Sequence, residues 1–119
     1  MNIVKFVKPK VRENKWYKGE IVDYSLDMEK NTLRIYVIVD KEPTIRFMRK
    51  IDVRLEVNSH FYKLCYELDL FNDDLSADLD LLIETRVLVT FHQGDNGQFF
   101  IDKIKLDAEF YEQEEQDEE

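Results

Sequence analysis

Cysteine is nearly missing from this chain. Cys65 stands alone, so no intrachain disulfide can form and a four-cysteine zinc site is excluded. Three glycines and two prolines among 119 residues leave no low-complexity or collagen-like body. No apolar run reaches membrane-spanning length, and Ile3–Val7, interrupted by Lys5, lacks the apolar core of a signal peptide. The expectation is a cytoplasmic protein with no membrane contact.

Catalytic groups are scarce as well. No Walker A or GxGxxG glycine pattern occurs, which removes two common phosphate cradles. His60 and His92 lie far apart, and no nucleophile, base and orienting acid share a recognisable pattern. Cys65 falls on the apolar stripe of a short helical segment, the position of a buried structural thiol. The acids Asp69, Asp73, Asp74, Asp78 and Asp80 are dense, but NDDLSADLD lacks the central glycine and the ligand rhythm of a calcium loop. A solvated loop with helix-capping carboxylates is expected there. The reading is therefore no enzyme, no catalytic residue, no cofactor and no metal.

What the chain does have is charge sorted by position. The formal net charge is −9, yet Asp107–Glu119 alone holds eight acids and no Lys or Arg. Met1–Tyr66 carries 14 basic residues against 9 acids, so the front of the chain is basic. A basic front with an acidic tail suggests a surface for polyanions and a tail that competes for it. Three parts follow: a basic arm or edge strand over 1–15, a folded domain over 16–106, and an acidic tail over 107–119. The tail is too poor in apolar residues to offset its ordering entropy and is expected to be disordered.

Within the domain the pattern is mostly β. Ile3–Lys8 could add as an edge strand. Trp16–Leu26 reads as a strand with a bulge or bend at Gly19, and Thr32–Asp40 as a second strand. In Thr44–Val57, Ile45, Phe47, Ile51, Val53 and Leu55 share one parity, and Arg46, Met48, Lys50, Asp52 and Arg54 the other. Asn58–Ser59 offers a helix cap, followed by the stripe Phe61, Leu64, Cys65 and Leu68. Thr85–His92 and Gln98–Leu106 close the chain as a hairpin around Asn96-Gly97. Three strands, one short helix, then two strands is the order of a five-stranded Greek-key OB-type barrel.

Cations mixed with aromatic faces mark the candidate site. Single-stranded nucleic acid is held by stacking bases on aromatic rings while cations follow the phosphates. Trp16 and Lys18, then Arg34 and Tyr36, then Arg46, Lys50 and Arg54 supply both kinds of group, the last two sets on strand faces opposite the apolar ones. Phe99 and Phe100 have opposite parity, so one of them should be exposed as a further platform.

The segments YKGEIVDYSLDMEKNTLRIYVIV, SHFYKLCYELDLF and LIETRVLVTFHQGDNGQFFIDKIKL resemble OB-fold single-stranded-DNA-binding-like proteins of phages and bacterial mobile elements. Leu82–Val89 fills that group's entry to the fourth strand, with Glu84 where glycine is usual. The resemblance implies a role in DNA replication or recombination, with the acidic tail recruiting partner proteins of those processes. The tail here ends Gln116-Asp117-Glu118-Glu119, without the apolar tip such tails carry. Two alternatives stand beside single-stranded DNA: an RNA-binding barrel, and an adaptor or assembly subunit that binds protein. Self-association as a homo-oligomer is left open.

Overall fold

Strand β2, Thr32–Val39, shows why this sequence makes a sheet. Leu33, Ile35, Val37 and Val39 alternate with Arg34, Tyr36 and Ile38, and the first set is fully buried. Each such burial contributes roughly 1.5–3 kcal/mol, and a one-residue slip would turn all four to water. The computed structural model describes residues 2–117.

Around β2 lie β1 (Tyr17–Asp27), β3 (Glu42–Asp52), β4 (Arg86–Gln93) and β5 (Phe99–Leu106), in one antiparallel sheet of order β3-β2-β1-β4-β5. The two outermost strands, β3 and β5, touch: an Arg49 Nη donates to the Asp102 carbonyl. Phe91 of β4 sits at the centre of the core, its ring centroid 4.5 Å from Phe47 and 5.5 Å from Tyr17.

Helix α1, His60–Glu67, joins β3 to β4 and packs on β3 and β5. The Ser59 hydroxyl caps it, accepting from the Tyr62 N–H at 3.1 Å while donating to the Arg54 carbonyl at 2.9 Å. Leu64, Cys65 and Leu68 are buried and Phe61 half-buried, the stripe expected from spacing. A 3-10 turn, Leu79–Leu82, follows, capped by Asp78 and tied to β1 by the Tyr24 hydroxyl donating to Asp80 at 2.5 Å.

Several boundaries differ from expectation. Ile3–Lys8 forms no strand; the arm makes one isolated bridge, Glu13 to Phe91, and anchors through buried Val11. The strain expected at Gly19 falls instead between Ile21 and Asp23, where the β1–β2 register shifts. Gly19 itself pairs regularly with Val39 and Val87, and its lack of a side chain admits the Ile38 carbonyl oxygen, which a Cβ there would meet at 2.8 Å. β3 ends at Asp52, where the Val53 N–H turns to the Asn31 carbonyl, and Leu55 is left 78% exposed instead of joining the core.

The acidic segment also starts differently. Helix α2 spans Ala108–Asp117 rather than leaving the body at Leu106. Asp107 is buried, accepts from the Phe110 N–H at 3.3 Å, and donates its own N–H to the Arg86 carbonyl. A carboxylate cap with two aromatics in the first turn gives this stretch what composition alone hides. Disorder is thereby corrected for the residues that dock, Asp107–Tyr111; Glu118 and Glu119 lie outside the described residues.

Candidate nucleic-acid interface

The solvent face of β1–β2–β3 gathers four of the seven expected residues. Pairing sets Arg34 opposite Lys50 and Tyr36 opposite Met48, while across the other edge Ser25 faces Arg34 and Asp23 faces Tyr36. Tyr36 and Arg34 are half-buried, and Lys50 is exposed. Neither Arg34 nor Lys50 makes an ion pair with any described residue. Arg46 reaches back to Asp23 at 3.8 Å; both side chains are more than half exposed, so the pair contributes at most about 1 kcal/mol and opens readily. The result is a phenol ring flanked by three cations, with one carboxylate, Asp23, among them.

Trp16 and Lys18 stand on another part of the sheet. Lys18 pairs across to Leu88, and Leu88 to Lys105. The Lys105 ammonium lies 4.2 Å from the Trp16 ring centroid, and Trp16 remains 42% exposed. One face of the indole therefore carries a cation. Its neighbour Tyr17 is buried and structural, its hydroxyl accepting from the Arg12 N–H at 2.8 Å. Lys105 is a member of this group that sequence reasoning missed; its alternation with Lys103 on β5 was the available signal.

Between the two groups lies a set of charges already matched. Arg86 holds Asp40 in a bidentate pair, at 2.7 and 3.1 Å, and Phe110 packs 5.5 Å below its guanidinium. Its backbone N–H donates to the Tyr111 hydroxyl at 2.9 Å. The Asp40 carboxylate raises the Arg86 pKa above its ordinary value. Glu20, paired to Arg86 on one side and Ile38 on the other, adds an acid to this row.

Arg54 is not brought to the Arg34–Lys50 surface. It follows the end of β3, with Asp52 and Glu56 nearby around a polar depression. Parity carried it there in the sequence reading, but parity applies only while the strand lasts.

Arg49 is the other residue the sequence reading passed over. It shares parity with Phe47 and Ile51, the buried set. Burial pulls its pKa below the ordinary value, and its Nε has no partner. It joins β3 to β5 and is a structural arginine.

A groove of about 610 Å³ opens beside this face, between Phe6–Pro9 of the arm, Ile45–Met48 of β3 and Asn96–Phe100 of the β4–β5 hairpin. Phe100 is the exposed member of the Phe99–Phe100 pair, at 38%, while Phe99 meets Phe91 edge-on. Phe100 rests on Gly94, where an added Cβ would lie 3.2 Å from the ring. Lys8 and Arg46 line the same groove, so ring and cation occur together again.

Cys65 is buried, and burial pushes its thiol pKa up. Both histidines are exposed, at the start of α1 and near the end of β4. Among the described residues no helix is long and apolar enough to cross a membrane. The chain matches no protein-family model, no curated protein and no solved structure.

Proposed function

We propose that this protein binds single-stranded DNA without catalysis, on the solvent face of an OB-type Greek-key barrel. Support for the barrel comes from the strand order, the contact between β3 and β5, the Phe47–Phe91 packing across the interior, and the helix between the third and fourth strands. The observation that carries the functional reading is the β2–β3 register, which groups Tyr36 with Arg34, Lys50 and Arg46. Bases would stack on Tyr36, with Phe100 extending the path along the groove, while the cations neutralise phosphates and release counterions. Trp16, Lys18 and Lys105 form a second, separate contact area.

The acidic tail acts as a competitor for these cations. Its docking through Tyr111 starts it from the Arg86 side of the face. Replication or recombination proteins remain candidate partners of its outer acids, in a phage or mobile-element setting.

The experiment is a titration of fluorescent single-stranded DNA, duplex DNA and RNA against the full chain at several salt concentrations. Tight binding of the single strand, falling steeply with salt, is the expected result; no binding at low salt overturns the reading. RNA bound more tightly than DNA would favour the RNA alternative. Changing Glu114, Glu115, Asp117, Glu118 and Glu119 to their amides should tighten binding at low salt if the tail competes. Equal affinity would leave the tail as a solubilising segment.

A second reading has its own support. Ile3, Val4, Phe6, Val7, Leu55 and Leu75 are apolar and exposed, as a protein-binding adaptor requires.

A further inference from the structure

Two apolar surfaces stand without partners at different places on the molecule, one among cations and the other beside a loop of acids. The first is the arm. Ile3, Val4, Phe6 and Val7 are 75–90% exposed, interleaved with Lys5 and Lys8, and no acid precedes Glu13. The arm passes its own groove beside Ile45 and Phe100, yet that contact leaves Phe6 90% exposed. Its own body therefore buries almost nothing of it.

The second is a cleft of about 230 Å³ between the β3–α1 loop and the loop Phe71–Ala77. Leu55, Val57, Phe61, Phe71 and Leu75 wall it, with Arg54 the one cation in the lining. Asp74, bonded to the lining residue Ser76, and Asp73 beside it are exposed at the loop edge of the cleft. Glu56, exposed between Leu55 and Val57, lines the adjoining polar depression.

The Phe71–Ala77 loop is built to hold its shape. The Asn72 N–H donates to the Ser76 carbonyl at 2.7 Å, and the Asn72 amide donates to the Ser76 hydroxyl at 2.9 Å. Ser76 in turn donates its N–H and its hydroxyl to Asp74, at 3.1 and 2.6 Å. These bonds keep Leu75 at φ +65°, a left-handed conformation that a leucine adopts only at a cost, with its side chain 61% exposed. A stiff loop that presents an apolar tip next to two exposed carboxylates, Asp73 and Asp74, is preorganised for a segment that is apolar and basic.

We propose that the arm of one copy of this chain seats in this cleft of a second copy. Phe6 and Val7 enter between Leu55, Val57 and Leu75, and Lys5 and Lys8 face Glu56, Asp73 and Asp74. The charge complementarity is what selects the arm as occupant. From buried Val11 the eight residues Ile3–Lys10 reach at most about 28 Å when extended, enough to cross to a neighbouring molecule. Arm and cleft are different surfaces, so two copies that exchange arms close as a symmetric pair, and copies that each pass an arm onward run head to tail. It is independent of nucleic acid.

Sedimentation velocity of the full chain over a range of concentrations, without nucleic acid, is the first test. Mass that rises with concentration and falls with added salt is expected; a monomer at every concentration overturns the proposal. Phe6→Asp and Leu75→Asp should each be monomeric, and a 1:1 mixture of the two should form a dimer, since one supplies an intact cleft and the other an intact arm. A mixture that stays monomeric, or a variant that associates like the parent, counts against it. A labelled peptide of residues 2–10 should bind the Phe6→Asp chain and bind the Leu75→Asp chain at least about tenfold more weakly. Should Leu75→Asp fail to fold, Glu56→Lys combined with Asp73→Lys gives the same reading. A peptide that binds parent and cleft variants equally would place the arm in the groove beside Ile45 and Phe100 instead, and overturn the proposal.

Discussion

Arg86 and Arg34 both stand half-buried on the solvent face of one sheet, yet their surroundings have little in common. Arg86 is matched at its outer nitrogens: Asp40 holds both Nη groups, Phe110 packs against the guanidinium and Tyr111 takes the backbone N–H, while the buried Nε alone has no partner. Arg34 has Lys50 opposite it, Tyr36 two residues along, and no described acid within ion-pair distance. An arginine that already has a planar carboxylate partner orients its neighbours. One set beside a second cation lacks that partner and gains most from an incoming anion.

Substitutions can break this contrast, and the largest effect belongs to the matched side. Arg86→Ala should lower stability by about 2 kcal/mol, discounted because Asp40 is solvent-accessible, and should loosen α2. Denaturant unfolding checks this, with oligonucleotide affinity per folded molecule staying within twofold or so. An affinity collapse in this variant would mean that the matched arginine is also a contact.

Tyr36→Ala tests the open side. Loss of one stacking platform should weaken single-stranded oligonucleotide binding by about 1–2 kcal/mol, roughly tenfold, while circular dichroism stays unchanged. Asp107→Ala returns to the matched side with a smaller effect. Removing the cap should cost about 1 kcal/mol and speed amide exchange at Phe110 and Tyr111. Lys50→Gln is the mildest: affinity should fall only a few-fold, and the slope of log affinity against log salt should shrink by about 0.7 per lost phosphate contact. An unchanged slope would remove Lys50 from the interface.

Acid offers one further check on the loop that walls the cleft. Hydrogen bonds from Ser76 hold the Asp74 pKa below its ordinary value. A depressed carboxylate stabilises the loop above its unfolded pKa, and that contribution disappears as pH falls through the folded one. Nuclear magnetic resonance titration should therefore find Asp74 below a typical aspartate in the parent and restored towards it in Ser76→Ala.

Much of the fold was legible residue by residue. The apolar set of β2, the helix stripe from Leu64 to Leu68 and the hairpin around Asn96-Gly97 all follow from local periodicity and turn chemistry. The placement of Arg34, Tyr36, Arg46 and Lys50 on one solvent face was legible for the same reason, since they lie on strands whose parity holds. Arg54 and Leu55 were misread because the strand ends where Asn31 intercepts the Val53 N–H, a contact between residues 22 positions apart. The docking of the tail's first residues was not legible, because Asp107 and Tyr111 find their partner in Arg86, which composition does not reveal.

The sequence by itself determined that the front of the chain is basic, that it folds mostly as β-structure, and that its lone cysteine falls on the apolar stripe of a short helix. Those properties depend on charge and on local alternation, which need no knowledge of neighbours. Only the tertiary structure decided which arginines are matched and which are open, that Trp16 shares its ring with Lys105, and that a cleft beside exposed acids answers a basic, apolar arm. Each of these depends on strand register and on contacts across many residues, and a side chain's role follows from the groups that reach it.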